Sequence, residues 1–270
     1  MAQKTNSDSG PEILEQGNIY FLYRPKVRPA RDDEGEDKGE NEEVAAEDIE
    51  DVQNFYIVLK PQGGRFRLIN VGRKRLPDIE EHERLWGFVE KVADSGKEIE
   101  EGLRRETYET KTRGGRVSPA ARPAGEGVYA LVRDGSRTFL AWALELPKKP
   151  GPVQKAFNIP EQASLAISIA NPEKRGGPRT AQLGDEQQAH YPKSLQKEFH
   201  GRRFATEDPR LLDYEGAQVI FIGARHDPEE AYHIDLQPEK ESEGSADLIK
   251  QLRFAKSRHP IEPLFRGEWR

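Results

Sequence analysis

The apolar positions of this chain recur in short blocks closed by proline or glycine. NIYFLY (18–23) ends at Pro25 and NFYIVL (54–59) ends at Pro61, and both read as buried strands. Gln62-Gly63-Gly64 supplies a turn able to take positive φ, so 65–72 is expected to return as the hairpin partner of 54–60. In that hairpin Phe66 and Leu68 face in while Arg65 and Arg67 face out. VYALV (128–132) and TFLAWALEL (138–146) predict a second hairpin, with Leu140, Trp142, Leu144 and Leu146 toward the core. SLAISIA (164–170) puts Leu165, Ile167 and Ile169 on one face, and AQVIFIG (217–223) is apolar on both, as a central strand is.

Helical spacing appears in fewer places. Asp78 with Glu81 three residues later has the form of a capping box, and Leu85, Trp86, Phe88, Val89 and Val92 predict a helix over 79–94. Ile99 and Leu103 predict a second short one. Residues 193–199 predict a third, stopped by Gly201, and Ser245 caps a fourth running to about 256. The polar, Gly- and Pro-rich stretch 107–127 reads as loop, and 232–236 as a strand turning back through Asp227-Pro228. About eight strands in clusters, with three or four helices and no βαβ alternation, predict an α+β fold: a mainly antiparallel sheet with helices packed on it.

The expected organisation is one domain over 17–257 with tails at 1–16 and 258–270. An echo among YRPKVRP, LKPQGGR and ANPEKRGGPR suggests two similar halves, about 17–110 and 125–257.

Charge changes this picture in one region. Residues 31–53 hold twelve acids against Arg31 and Lys38, a local −10 in a chain of net −6, so the remaining residues carry +4. Self-repulsion and low hydrophobicity predict a disordered acidic insert between two strands. No cysteine is present, which excludes disulfides and thiolate chemistry. The first residues lack the apolar core of a secretory signal, and no run nears the roughly 18 apolar residues of a membrane span. These features predict a soluble, cytoplasmic protein with no membrane partner.

The candidate chemistry is of two kinds. GGRFRLINVGRKRLP (63–77) carries Arg65, Arg67, Arg73, Lys74 and Arg75 with no acid, and Gly-Gly-Arg loops add Arg113, Arg116 and Arg179. Glycine pairs turn backbone N–H groups toward an anion and arginine offers a bidentate fork, so these residues form a candidate anion-binding set. The partner it suits is a polyanion or an acidic protein surface, with the chain's own acidic insert as an intramolecular competitor. RHDPEEAYHID (225–235) is the other constellation, with His226, Asp227, His233 and Asp235 as metal-ligand types. The leading expectation is a non-enzymatic binding protein engaging an anionic partner. Its rivals are a metal-assisted hydrolase centred on 226–235 and a purely structural partner protein. No cofactor motif is present.

Overall fold

The computed structural model describes residues 10–30, 46–112, 114–174, 183–206, 208–239, 241–242 and 244–269. Strand β1 (Glu12–Pro25) is followed by the two-residue β2 (Arg28–Pro29), then β3 (Val52–Pro61), β4 (Phe66–Val71) and β5 (Arg84–Ala93). Helix α1 (Gly96–Leu103) leads into the ribbon of β6 (Glu106–Thr110) and β7 (Gly114–Ser118). The long β8 (Arg122–Asp134) and β9 (Arg137–Leu146) form the expected second hairpin, and α2 (Pro152–Ala156) precedes β10 (Gln162–Ala170). After α3 (Lys193–Gln196) and β11 (Phe204–Ala205) come β12 (Gln218–Arg225), α4 (Pro228–Tyr232), α5 (Asp247–Lys250) and α6 (Glu262–Arg266).

Strands β1, β3, β4 and β5 make one antiparallel meander, and β8, β9, β10 and β12 make another. The two ribbons join edge to edge, β1 with β8 and β5 with β12, which closes a barrel of eight strands. The expected sheet with helices packed on it is therefore not what forms. Both edges of the 14-residue β1 are paired, and the longest helix among the described residues, α1, has eight residues. Closure satisfies the edge hydrogen bonds that an open sheet would have to cover with helices.

Glycine makes room where the ribbons meet. On the β1–β8 seam Gly17, Gly125 and Gly127 stand opposite Tyr129, Phe21 and Ile19, so each bulky side chain faces a position with none. An eight-stranded barrel has an interior just wide enough for side chains, and this pairing of large with absent keeps it filled. Trp142 meets Phe21 edge-on with centroids 5.7 Å apart, and Phe21 stacks on Phe55 at 6.4 Å. One mouth is stoppered by Phe157, which follows α2, and by Trp269, both packed on Tyr23.

The wall is apolar on its outer side as well. Tyr20, Leu22, Tyr56, Val58, Phe66 and Leu68 lie outside, under Ile99 and Leu103 of α1 and under Leu248, Leu252 and Phe254 of the C-terminal arm. The facing expected for β4 is thus reversed: Phe66 and Leu68 point out, while Arg67, Ile69 and Val71 share the inner register with Leu59, Ile57 and Phe55. A strand covered on both faces has no polar side to mark the exterior, so alternation alone could not orient it.

Other expectations fail for local reasons. The residues read as a helix over 79–94 form a turn and then β5, in which Leu85, Gly87 and Val89 alternate with half-buried Trp86 and Phe88. Asp78 does accept from the Glu81 N–H at 3.0 Å, but the turn ends with the Glu83 N–H donating back to the Asp78 carbonyl. Capping chemistry here closes a turn and starts no helix. The 107–127 stretch is strand through most of its length, and 228–232 is the helix α4, followed by His233 at φ 51°. Of the helix expected over 245–256, the four residues of α5 form.

The ordered chain also exceeds its expected bounds. Strand β1 starts at Glu12, ahead of the expected domain start, and His259, Leu264 and Trp269 pack within the expected C-terminal tail. Ala46 is buried and Ile49–Asp51 forms a 3-10 turn capped by Asp48, so the end of the acidic insert is structured. Residues 31–45 lie outside the described ones.

Candidate ligand groove

The cationic run 65–75 is largely neutralised within the fold. Arg67 closes the second mouth of the barrel: Nη1 and Nη2 donate to the Glu15 carboxylate at 2.7 and 2.9 Å, and Nε donates to Asp213 at 2.7 Å. The Tyr129 hydroxyl donates to Glu15 at 2.8 Å, and Asp213 arrives on the Pro209–Asp213 turn beside buried Leu211 and Leu212. Burial opposes the Arg67 charge, yet Glu15 and Asp213 outweigh it and hold the guanidinium more firmly protonated than free arginine. Burial and the neighbouring Glu15 carboxylate push the Tyr129 hydroxyl well up from its ordinary value.

Three other members of the run are also partnered. Arg75 makes a bidentate pair with Glu83 at 2.6 and 3.0 Å, and Arg65 pairs with Asp94 at 2.9 Å. Lys74 donates to the Val52 carbonyl at 2.6 Å. Arg73 is exposed, within electrostatic reach of Glu83. Of the Gly-Gly-Arg loops, β7 places Arg116 beside β2, where Nη2 reaches the Val27 carbonyl at 3.5 Å. Arg113 and Arg179 lie outside the described residues. The structure does not gather the described members of this set on one surface: Arg67 is inside the barrel and Arg116 is on a separate three-stranded sheet.

The proposed metal ligands are dispersed too. His226 Nε2 lies 2.9 Å from the Glu80 carboxylate, at the edge of a cavity of about 400 Å³ between the 78–80 turn and Pro150. The Asp235 carboxylate accepts from the Gln237 backbone and side chain. Asp227 and His233 flank α4. Among the described residues no three His, Asp or Glu side chains are placed to hold a metal ion.

What the fold does assemble is a groove of about 1010 Å³ along the outer wall, between β9, β10 and β12 on one side and α4 on the other. Its floor is made of Ala166, Ser168 and Ala224 together with Ile222. Tyr232 forms one side: its ring stacks on Phe139 with centroids 4.7 Å apart, and its hydroxyl shares a 3.1 Å hydrogen bond with Ser164. His82, on the 78–83 turn, holds the Gly223 carbonyl through Nδ1 at 2.9 Å, and His233 sits at the other end of α4.

Two guanidiniums mark the ends of this groove. Arg137 opens β9 next to Thr138, which is opposite Ile167, while Arg225 ends β12 opposite Ser164. Three residues of β10 separate these levels, about 10 Å along the strand. Both side chains are exposed and neither makes a hydrogen bond or ion pair with a described residue. Asp134, Asp227 and Glu230 lie on the same rim, so the groove carries both signs of charge.

Gly223 sets the depth of one end. A Cβ there would lie 2.2 Å from the Asp78 carbonyl oxygen, because the 78–83 turn crosses directly over β12. Gly223→Ala is expected to cost about 1–3 kcal/mol, the usual range for a forced backbone shift, and to release His82 from its carbonyl. Urea unfolding measures the first effect and the His82 imidazole resonances report the second.

Sequence reasoning touches this site through Asp227 and His233 and misses Arg137, Arg225 and Tyr232. Nothing local singles out Arg137 and Arg225, each of which has an acid within three residues, Asp134 and Asp227, and pairing across a closed barrel is needed to bring them to one groove. No helix among the described residues is long and apolar enough to cross a membrane. The molecule is an eight-stranded closed β-barrel with a mixed-charge groove on its wall. No family model, no curated protein and no solved structure matches the chain.

Proposed function

We propose that this chain is a binding protein whose groove between β10, β12 and α4 takes an extended, charged peptide segment. The observation that supports the reading is the pair of guanidiniums, Arg137 and Arg225, without a hydrogen bond or ion pair to a described residue, at opposite ends of a cavity floored by Ala166, Ser168, Ile222 and Ala224 and walled by Tyr232. Exposed arginines of this kind offer bidentate forks for carboxylates. The acids on the rim oppose a uniformly anionic ligand such as nucleic acid and favour one that carries cations between its acids. The volume suits several peptide residues, at the upper end of the range for ligand sites. Every edge of β10 beside the groove is already paired, so recognition runs through side chains and not through strand addition.

The test is a set of ten-residue peptides of differing charge pattern, titrated at low salt and followed by backbone amide shifts of the protein. Mixed-charge peptides are expected to move Gly223, Arg225, Tyr232 and His233, and Arg137→Glu with Arg225→Glu is expected to abolish the response. Equal binding of all-acidic peptides and oligonucleotides, or no shift at millimolar peptide, overturns the reading.

A further inference from the structure

The C-terminal arm is fastened to the barrel at two points of opposite electrostatic character. One is the fully buried Glu100 of α1, whose carboxylate accepts from Arg104, Arg258 and His259 at 2.6 to 3.1 Å. Burial pushes this carboxyl up, but its three donors outweigh burial and hold it at about 2. This fastening sets one carboxylate against two guanidiniums, and that carboxylate stays ionised across the ordinary pH range.

The other fastening is made of acids. Glu126 on β8 is 0% exposed, and its two carboxyl oxygens accept the backbone N–H groups of Asp247 and Leu248 at 3.2 and 2.8 Å. Glu241, itself buried, accepts the same Asp247 N–H at 3.0 Å and is within hydrogen-bonding reach of Glu126. Glu145 on β9 accepts the Glu239 N–H at 2.7 Å. Tyr20 on β1 is 0% exposed, feels all four of Asp247, Glu126, Glu145 and Glu241, and its hydroxyl has no hydrogen-bond partner among the described residues. Among the described residues Lys250 acts on Asp247, whose carboxylate accepts from Asn18 and Gln251.

A second carboxylate beside a fully buried one makes its ionisation costly, so Glu126 holds a proton. We propose that the Glu126–Glu241–Glu145 cluster is a proton-locked clasp, which holds Glu239, Glu241 and 246–252 against the barrel wall while protonated and releases them when it ionises. Release uncovers Tyr20, Leu22, Tyr56 and Val58, the apolar outer face now under Leu248 and Leu252. The Glu100 anchor is untouched by the same change, so the arm opens from one end only.

The direction follows from linkage. Burial, then the neighbouring acids, raise Glu126 to about 9. Burial raises Glu145 to about 7 even though the Glu239 N–H opposes the shift. Acids raised above their unfolded values stabilise the closed form at low pH, and that stability is lost as pH rises through the folded values. The clasp is therefore firmest below the ordinary carboxylate value of 4.5 and loosens progressively from there up to about 9. One linked proton changes the opening equilibrium by about tenfold per pH unit below the closed-state value, or about fiftyfold between pH 7 and pH 9.

Hydrogen exchange of the full chain, corrected for intrinsic rates, tests this. The Leu248–Leu252 amides are expected to lose protection over that interval while those of β1 and β8 keep theirs. Glu126→Gln, a neutral isostere, is expected to flatten the dependence. Protection that does not change with pH, or a Glu126→Gln protein that opens like the wild type, overturns the proposal. Should that variant fail to fold, the wild-type glutamate carboxyl carbons decide by NMR: two titrating above about pH 6.5 support the clasp, none overturns it. Protection restored at alkaline pH by millimolar calcium would assign the cluster to a bound cation and overturn the proton lock.

Discussion

Replacing Arg67 by methionine is expected to lower the stability of the protein by about 3–5 kcal/mol, read as the shift in its urea unfolding free energy. The guanidinium is 2% exposed and satisfies Glu15 on β1 and Asp213 on the turn that crosses the barrel mouth. Its removal leaves the largely buried Glu15 carboxylate, and the more exposed Asp213, without a counter-ion, and that uncompensated charge accounts for most of the loss. The triple variant Glu15→Gln, Arg67→Met, Asp213→Asn removes the ions together and is expected to recover a large part of it, since buried ion pairs contribute little over neutral replacements. If the single and triple variants lose the same amount, shape and not charge sets the stability at this mouth, and Arg67 is a filler of space before it is a counter-ion.

Phe157→Ala is expected to cost a similar amount, about 3–5 kcal/mol, for a different reason. Phe157 is 0% exposed and packs on Tyr23, Phe55 and Trp269 with ring centroids 4.9 to 5.4 Å apart. Truncation opens a cavity at the opposite mouth and unseats Trp269, which is joined to the arm through α6. Trp269 is half-buried, so its loosening is read as a red shift in tryptophan emission at urea concentrations where the barrel is still folded. An emission spectrum that changes only with global unfolding would mean that this mouth is closed without Phe157.

The two substitutions act on opposite ends of one barrel, and neither end is visible as an end in the chain. The alternation of Arg67 with Phe66 and Leu68 reads as a solvent-facing cation, the natural reading for a strand with one wet face. That reading fails because α1 and the C-terminal arm cover the outer wall, leaving both faces of β4 apolar. The helix expected over 79–94 fails similarly: Leu85, Trp86, Phe88 and Val89 are a helical stripe only if one face is buried, and β5 buries one side in the barrel and half-buries the other. The groove is half legible, through Asp227 and His233. Its arginines lie far apart in sequence and meet because β9, β10 and β12 are neighbours.

The sequence by itself determined the strands at 18–23, 54–59, 128–132, 138–146, 164–170 and 217–223, because β-branched and aromatic runs between proline and glycine leave few alternatives. It also determined the absence of thiol chemistry and the concentration of acid in 31–53. The tertiary structure alone decided that the two ribbons close on each other, which face of each strand lies inside, and which acids stand beside which cations. Those choices rest on pairing between residues as distant as Glu15 and Leu131, or Val219 and Gly87. Local pattern carries no record of such edges; they are fixed when the whole wall satisfies its hydrogen bonds at once.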